Sequence, residues 1–305
     1  MHFADRLSER IDRIGSRLVI GIDPDPKRIF AKDSRFKKAF PNYDTEQILD
    51  KFCHVALEAA KSTACAIKPQ AAFFESLGLP GLWALQKCLR QARTLGIPVI
   101  LDAKRGDIGN TAMAYADAYL DPKSGFFADA LTVNPYLGPD TLEPFAKKAQ
   151  EHGGGLFVLV KTSNPGSGAF QNATLQTGAP LYAEVAKTVR ALGQNNIGAS
   201  GYSNIGAVCG ATYPKELAAL RDAMPQSIFL IPGYGAQGGT AADTVNAFHP
   251  GGKGAVVSAS RSIIFAYERL EDSEAKPDDI FARVQSAAEN ARNDIETALR
   301  TRPST

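Results

Sequence analysis

Eight short apolar runs recur along the 305-residue chain, and patterns typical of amphipathic helices separate most of them. Each run is bounded by polar or glycine-rich residues, as expected for a strand that is covered on both faces. Strands that alternate with helices pair in parallel through right-handed crossovers. Eight such units fit a (β/α)₈ barrel, the TIM barrel, better than a doubly wound sheet. The predicted strands are Arg17–Ile22, Cys65–Lys68, Pro98–Leu101, Ala130–Val133, Leu156–Val160, Ala207–Cys209, Ile228–Ile231 and Ala255–Val257.

The chain carries no internal repeat and no low-complexity linker, so we expect a single barrel domain over residues 1–305. Two stretches exceed normal loop length, at about residues 24–44 after the first strand and about 163–203 after the fifth. Long insertions on a barrel are commonly lids or binding loops. Apolar residues at helical spacing from Ile280 to Leu299 predict a C-terminal helix over about residues 278–300, which would complete the outer ring.

Composition excludes several classes of function. A net charge of +2, without runs of lysine or arginine, argues against a nucleic-acid or membrane-surface role. No stretch approaches the ~18 apolar residues of a membrane span. The four cysteines are scattered without a C-x-x-C pair, and the histidines lack ligand spacing, so we expect free thiols in the cytoplasm and no metal site.

Residues 101–108, Leu-Asp-Ala-Lys-Arg-Gly-Asp-Ile, place two carboxylates and a lysine at the end of the third predicted strand. Because side chains alternate along a strand, Asp102 and Lys104 should point to the same face. Burying an ion pair costs several kcal/mol of desolvation per charge, so a purely structural role gives little reason to keep one there. Asp107 cannot share that face by strand geometry and must reach the site through a loop or from another subunit. The alternative is a solvated salt bridge at a strand end.

Catalytic residues of a barrel gather at the C-terminal ends of its strands. Here Asp23 follows the first strand, Lys68 ends the second, and Lys161-Thr162-Ser163 ends the fifth. A lone lysine after a strand could extend to solvent. Lysines and aspartates that converge on one rim instead indicate a functional site.

A glycine-rich loop follows the seventh strand, with the sequence Pro232-Gly233-Tyr234-Gly235-Ala236-Gln237-Gly238-Gly239. Gly233 to Gly238 match the G-x-G-x-x-G pattern of dinucleotide sites, but that match alone is weak and its position argues against it. Barrels often bind phosphate between the loops after strands seven and eight. Glycines let backbone N–H groups approach the anion, and Arg261 after the eighth strand adds a charge-assisted donor. We therefore predict a phosphate pocket rather than a plain turn of small residues.

These residues, in this order, resemble the orotidine 5′-monophosphate decarboxylase family over nearly the whole barrel. The resemblance is carried by Asp102-x-Lys104-x-x-Asp107-Ile108-Gly109-Asn110-Thr111, by the glycine loop and by Arg261-Ser262-Ile263. Gly210-Ala211-Thr212-Tyr213-Pro214 is similar to the longer bacterial (type 2) branch. Hexulose-phosphate synthases and ketogulonate-phosphate decarboxylases share the Asp-x-Lys-x-x-Asp pattern, but they typically carry an acidic metal ligand where this chain has Lys68.

The resemblance implies a role for each matching position. Lys104 would protonate C6 of the pyrimidine, Asp102 would face the departing carboxylate, and Lys68 would pair the carboxylates. In a homodimer, Asp107 and Thr111 would be donated across the interface. The substrate-binding residues would be Asp23 and Lys68 at the ribose, Ser163 at the pyrimidine, Gln237 and Arg261 at the phosphate, with Thr111, Ile108, Pro232, Gly233 and Gly235 completing the set.

The implied function is decarboxylation of orotidine 5′-monophosphate to UMP in pyrimidine biosynthesis, without a cofactor or metal. Flanking carboxylates favour the charged form of a lysine, which suits a proton donor and opposes the neutral lysine that a Schiff-base aldolase needs. Two alternatives stay open at this point. One is a metal-dependent sugar-phosphate aldolase or decarboxylase of the same superfamily, and the other is a non-catalytic nucleotide-binding barrel.

Overall fold

A computed structural model describes residues 1–212, 214–235, 239–271 and 275–301. Within these ranges eight strands form one parallel sheet whose neighbours follow the order β2-β1-β8-β7-β6-β5-β4-β3. The strands are β1 (Leu18–Ile22), β2 (Ala66–Pro69), β3 (Ile100–Arg105), β4 (Ala130–Val133), β5 (Gly155–Lys161), β6 (Ser203–Cys209), β7 (Ser227–Ile231) and β8 (Ala255–Ala259).

The sheet closes on itself between β2 and β3. Parallel bridges join Ile67 to Val99 and Gln70 to Asp102, and the Ile67 N–H donates to the Pro98 carbonyl at 3.0 Å. Closure leaves no sheet edge, which confirms the predicted (β/α)₈ barrel.

Helices follow the strands and cover the outside of the barrel. Their apolar faces pack on the strands, and cap residues define some ends, such as the capping box of Asp44 and Gln47 at the start of α4. The helices of the described residues are α1 (Phe3–Ile14), α2 (Pro26–Ile29), α3 (Arg35–Ala39), α4 (Thr45–Thr63), α5 (Ala71–Glu75), α6 (Gly78–Thr94), α7 (Gly109–Leu120), α8 (Glu143–His152), α9 (Gly168–Gln171), α10 (Leu181–Gly193), α11 (Pro214–Ala223), α12 (Ala241–Thr244), α13 (Arg261–Ile264) and α14 (Pro277–Arg300). None of them is long and apolar enough to cross a bilayer.

Helix α1 closes the N-terminal end of the barrel. Its buried Phe3 and Leu7 join a cluster of inward-facing strand residues, and the Phe3 ring meets the Phe157 ring edge-on at 6.0 Å. The interior at this end is therefore a packed core, and the polar strand ends lie at the opposite end.

Both predicted insertions hold short helices. Residues 24–44 contain α2 and α3, and residues 163–203 contain α9 and α10. Strand β6 begins at Ser203, four residues before the predicted start at Ala207. The apolar pattern missed this part because it opens with Ser203 and Asn204, which are buried and hydrogen-bonded. Helix α14 confirms the predicted C-terminal helix.

Candidate functional site

A cavity of about 800 Å³ opens at the C-terminal ends of the strands. Eight of the predicted site residues line it: Asp23, Lys68, Asp102, Lys104, Ser163, Pro232, Gly233 and Arg261. Four others do not, because Asp107, Ile108 and Thr111 lie outside it and Gly235 lines a neighbouring cavity. The remaining predicted residue, Gln237, falls outside the described residues.

Two lysines share one carboxylate in the floor of the cavity. The Lys68 Nζ donates to Asp102 Oδ2 at 2.6 Å, and the Lys104 Nζ donates to Asp102 Oδ1 at 2.5 Å. The side chains of Lys68 and Asp102 are each 10% exposed, whereas that of Lys104 is 46% exposed. Lys104 therefore presents its ammonium to the cavity while Asp102 holds it from behind.

The charged groups of Lys68, Asp102 and Lys104 stabilise one another. Burial opposes the charged form of Lys68, but the carboxylates of Asp102 and Asp23 outweigh it and raise the Lys68 pKa above its ordinary value of 10.5. Burial would likewise raise the pKa of the Asp102 carboxyl, yet the ammonium groups of Lys68 and Lys104 hold that pKa well below 3.8. Asp102 is thus an anion and Lys68 a cation at neutral pH.

The end of β3 departs from regular strand geometry. Lys104 has a φ of 49°, in the left-handed region, and the pairing with β4 shifts register between Leu101 and Arg105. Asp102 and Lys104 do meet at the cavity, as predicted. The regular alternation of side chains on which that prediction rested does not hold here, because the strand is irregular. A bulge brings them together.

Asp23 faces the cavity from the end of β1. Its Oδ2 accepts a hydrogen bond from the Ser260 hydroxyl at 2.6 Å, while its buried Oδ1 has no hydrogen-bond partner in the described part of the chain. Gly21 permits this contact, because a Cβ there would lie 2.7 Å from the Ser260 Cβ. A buried carboxylate oxygen without a donor suits a ligand hydroxyl.

The described part of the glycine loop lies close to the start of α13, and Pro232, Gly233 and Arg261 line the cavity together. Gly233 and Gly235 have φ values of 103° and 75°, which glycine adopts without steric cost. Arg261 is the first residue of α13, directly after β8. The Tyr234 hydroxyl donates to Asp294 of α14 at 2.7 Å, and burial together with this carboxylate raises the Tyr234 pKa. The loop is thereby tied to the outer ring.

The second insertion covers part of the cavity. Phe170, Leu181 and Tyr182 line it, although Phe170 is 70% exposed. The buried Lys161 Nζ at the end of β5 donates to Asn172 of the insertion at 2.5 Å. These contacts place the insertion over the mouth, as expected of a lid.

Asp107, Ile108 and Thr111, around the start of α7, do not line the cavity. Asp107 Oδ1 accepts from the Ile108 N–H at 2.8 Å, and the Ile108 side chain is 62% exposed. In this chain alone, these three residues do not complete the site.

The cavity also has lining residues that were not predicted as site residues, among them the polar Gln70, Thr132, Asn134 and Ser260. Gln70 donates to Asp102 Oδ2 at 3.0 Å, and Thr132 donates to Asp102 Oδ1 at 3.0 Å. Polar residues in Thr132-x-Asn134, at the end of the fourth predicted strand, were the available signal. Within the described ranges, no group of three or more His, Cys, Asp or Glu side chains could hold a metal ion.

Comparisons with known proteins agree with this geometry. The profile of the orotidine 5′-phosphate decarboxylase / HUMPS family matches residues 16–275. The orotidine 5′-phosphate decarboxylase of Rhodopirellula baltica is 45% identical over 285 residues, which cover 90% of this chain and 92% of the relative. The enzyme of that name from Deinococcus radiodurans is 44% identical over 265 residues, or 87% of this chain and 89% of the relative.

Solved structures match as well. A crystal structure of a Streptomyces avermitilis protein aligns with a TM-score of 0.81 and 34% identity, covering 98% of this chain and 96% of that one. The OMP decarboxylase of Leishmania donovani aligns with a TM-score of 0.75 and 32% identity, covering 99% of this chain and all of the other.

Proposed function

Because the chain belongs to the orotidine 5′-phosphate decarboxylase / HUMPS family, we propose that the cavity at the mouth of its barrel is the active site of a carboxy-lyase. The enzyme converts orotidine 5′-monophosphate into UMP and CO₂ in pyrimidine biosynthesis. The observation that carries the proposal is that the buried Lys68 and Asp102 hold the cavity-facing Lys104, in the same cavity as a glycine loop and an arginine.

Lys104 is the proton donor in this proposal. The bond between C6 and the substrate carboxylate breaks, and its electron pair stays on C6 in an orbital that the ring delocalises poorly. An ammonium about 4 Å away stabilises that charge by roughly 4 kcal/mol at an effective dielectric constant of about 20. Because Asp102 already orients the ammonium, little reorganisation is needed. Lys104 then transfers a proton to C6, which gives UMP, and regains a proton from water.

Asp102 has a second role in this proposal. Its carboxylate lies beside that of the substrate, and their repulsion disappears as neutral CO₂ departs. Since Lys68 and Lys104 hold the pKa of Asp102 well below 3.8, the residue cannot relieve the repulsion by taking up a proton near neutral pH.

The other cavity residues bind the nucleotide. The unpartnered Asp23 Oδ1, together with Lys68, suits the ribose hydroxyls. Ser163, which lines the cavity just after β5, is assigned to the pyrimidine. The phosphate is assigned to Arg261, Gln237 and the backbone around Pro232, Gly233 and Gly235, because a guanidinium and glycine N–H groups suit an anion.

A homodimer would complete each site with Asp107 and Thr111 of the second copy. Asp107 lies outside the cavity of its own chain, and exposed apolar side chains occur close to it in sequence and in the adjoining loop. Ile108 and Met113 are 62% and 53% exposed, and Tyr136 and Leu137 in the adjoining loop are 76% and 51% exposed. An apolar area of this kind on a protein surface favours a partner.

The cytoplasmic location stays a prediction. It is supported by the four cysteines, each of which is free and buried.

Loss of orotidine 5′-monophosphate, followed by its absorbance with and without EDTA, tests the function. We expect turnover that EDTA leaves unchanged and that Lys104→Ala nearly abolishes, while the exposed Lys123→Ala variant behaves as the parent. Activity that disappears with EDTA would favour the sugar-phosphate alternative. Tight UMP binding without turnover would favour the non-catalytic barrel.

A further inference from the structure

Thr132 occupies a special place beside the catalytic strand. Strands β3 and β4 pair regularly at Ile100–Ala130 and Leu101–Leu131, and they pair again at Arg105–Val133. Between these points β3 has three residues, and β4 has only Thr132. Two residues of β3 are therefore in excess, which forms the bulge at its end.

The Thr132 hydroxyl satisfies the backbone of this bulge. Its Oγ1 accepts from the N–H of Ala103 at 3.0 Å and from the N–H of Lys104 at 2.9 Å. The same hydroxyl donates to Asp102 Oδ1 at 3.0 Å. A hydroxyl has one donor and two acceptor sites, so this buried group uses all three.

The bulge contains an unusual backbone conformation. Among the described residues other than glycine, Lys104 alone has a positive φ. A lysine adopts this region only when its surroundings hold it there, and such residues concentrate at active sites. The Thr132 hydroxyl contacts both the amide of this residue and the carboxylate that binds its ammonium.

We propose that Thr132 is a positioning residue for proton transfer, an inference that rests on the proposed decarboxylase function. In this role Thr132 acts through Lys104 and Asp102 and does not itself transfer the proton. It fixes the left-handed backbone at Lys104 and the orientation of the Asp102 carboxylate, so that the ammonium of Lys104 is aimed before the substrate arrives. Small errors in the placement of a reacting group cost large factors in rate.

Thr132→Val tests the role, because it keeps the branched shape and removes the hydroxyl. We expect kcat for orotidine 5′-monophosphate to fall at least about 100-fold. KM and the Kd of UMP should stay within about threefold, since the phosphate and ribose contacts are intact. Thr132→Ser restores the hydroxyl and should recover kcat to within about tenfold of the parent.

Thr63→Val is the matched control. Thr63 is also buried, and its hydroxyl donates to the Ala59 carbonyl in the last turn of α4, away from the cavity. This variant should lose stability, measured by thermal unfolding, but keep its kcat. If Thr132→Val does not fold, Thr132→Ala is measured with the same expectations.

The inference is overturned if removal of the Thr132 hydroxyl changes kcat by less than about threefold, or if Thr132→Ser is as slow as Thr132→Val. It is also overturned if KM rises in proportion as kcat falls. These outcomes differ from failure of the proposed function, in which the parent protein itself would not consume orotidine 5′-monophosphate.

Discussion

At the scale of single residues, the carboxylate of Asp102 organises the site. Lys68 and Gln70 donate to its Oδ2, and Lys104 and Thr132 donate to its Oδ1. These four donors come from β2, β3, β4 and the residue that follows β2, and they leave the carboxylate little freedom to rotate. Charged hydrogen bonds of this kind compensate for the cost of burying the groups, but only while each partner is present.

We expect Asp102→Asn to lower the free energy of unfolding by about 3 kcal/mol near neutral pH, because the buried Lys68 loses its closest counter-charge. The pKa of Asp102 is lower in the folded than in the unfolded protein, so its ionised form stabilises the fold above the ordinary value of 3.8. That contribution disappears as the pH falls below this value. Urea unfolding at several pH values measures the difference between the two proteins.

The gap between parent and variant should therefore stay constant above about pH 5 and narrow below about pH 4. The exposed Asp33→Asn variant serves as the control and should match the parent throughout. A gap that widens on acidification would contradict the assigned direction of the pKa shift.

At the scale of elements, the glycine loop after β7 is joined to a helix that is distant in sequence. The hydrogen bond from Tyr234 to Asp294 joins the loop after β7 to α14. Both groups are partly open to solvent, so the bond contributes only modestly to stability. Its position next to Gly233 and Gly235 makes it a brace for the loop that the proposed function assigns to phosphate.

Tyr234→Phe should raise KM for orotidine 5′-monophosphate about fivefold and leave kcat nearly unchanged, since about 1 kcal/mol of loop support is lost. Steady-state kinetics with orotidine, which lacks the phosphate, should show no change. Asp294→Ala should have the same effect, and the double variant should be no worse than either single one. Strictly additive losses would show that the two side chains act independently.

The strands and helices followed from local patterns, but the bulge in β3 did not. The composition of an apolar run such as Ile228–Ile231 is enough to indicate a buried strand, so the barrel was predicted correctly. The bulge arises from the pairing of β3 with β4, which no local window contains. For the same reason the sequence indicated Asp102 and Lys104 but missed Thr132 and Gln70, whose importance comes only from contact with them.

At the scale of the whole molecule, the cavity of one chain lacks Asp107, Ile108 and Thr111, which were expected at the site. The loops after β3 and β4 adjoin, because the Asn134 N–H donates to the Arg105 carbonyl at 2.8 Å. They form the exposed apolar area around Ile108 and Met113. A twofold dimer on this face would exchange Asp107 and Thr111 between two cavities.

Mixing two inactive variants tests this exchange. Lys104→Ala and Asp107→Ala should each be nearly inactive alone. After co-expression, half of the dimers are mixed and each carries one intact site, so about a quarter of the parent activity should return. Turnover of the purified mixture at equal subunit concentration measures the recovery.

Lys104→Ala mixed with Lys68→Ala is the matched control. Both residues lie in the cavity of their own chain, so neither site of a mixed dimer is intact and no activity should return. If the mixture of Lys104→Ala with Asp107→Ala is equally inactive, Asp107 acts within its own barrel or takes no part in the reaction.

Helix α1 closes the N-terminal end of the barrel with Phe3 and Leu7, and this determines where substrate enters and products leave. Within the described residues, the barrel is closed at its N-terminal end and open at the C-terminal ends of its strands. The substrate therefore enters, and both products leave, through the same opening. A bound nucleotide lies between the floor of the cavity and solvent. A second substrate molecule can therefore bind only after the product nucleotide has left, and both must pass the insertion that lines the mouth.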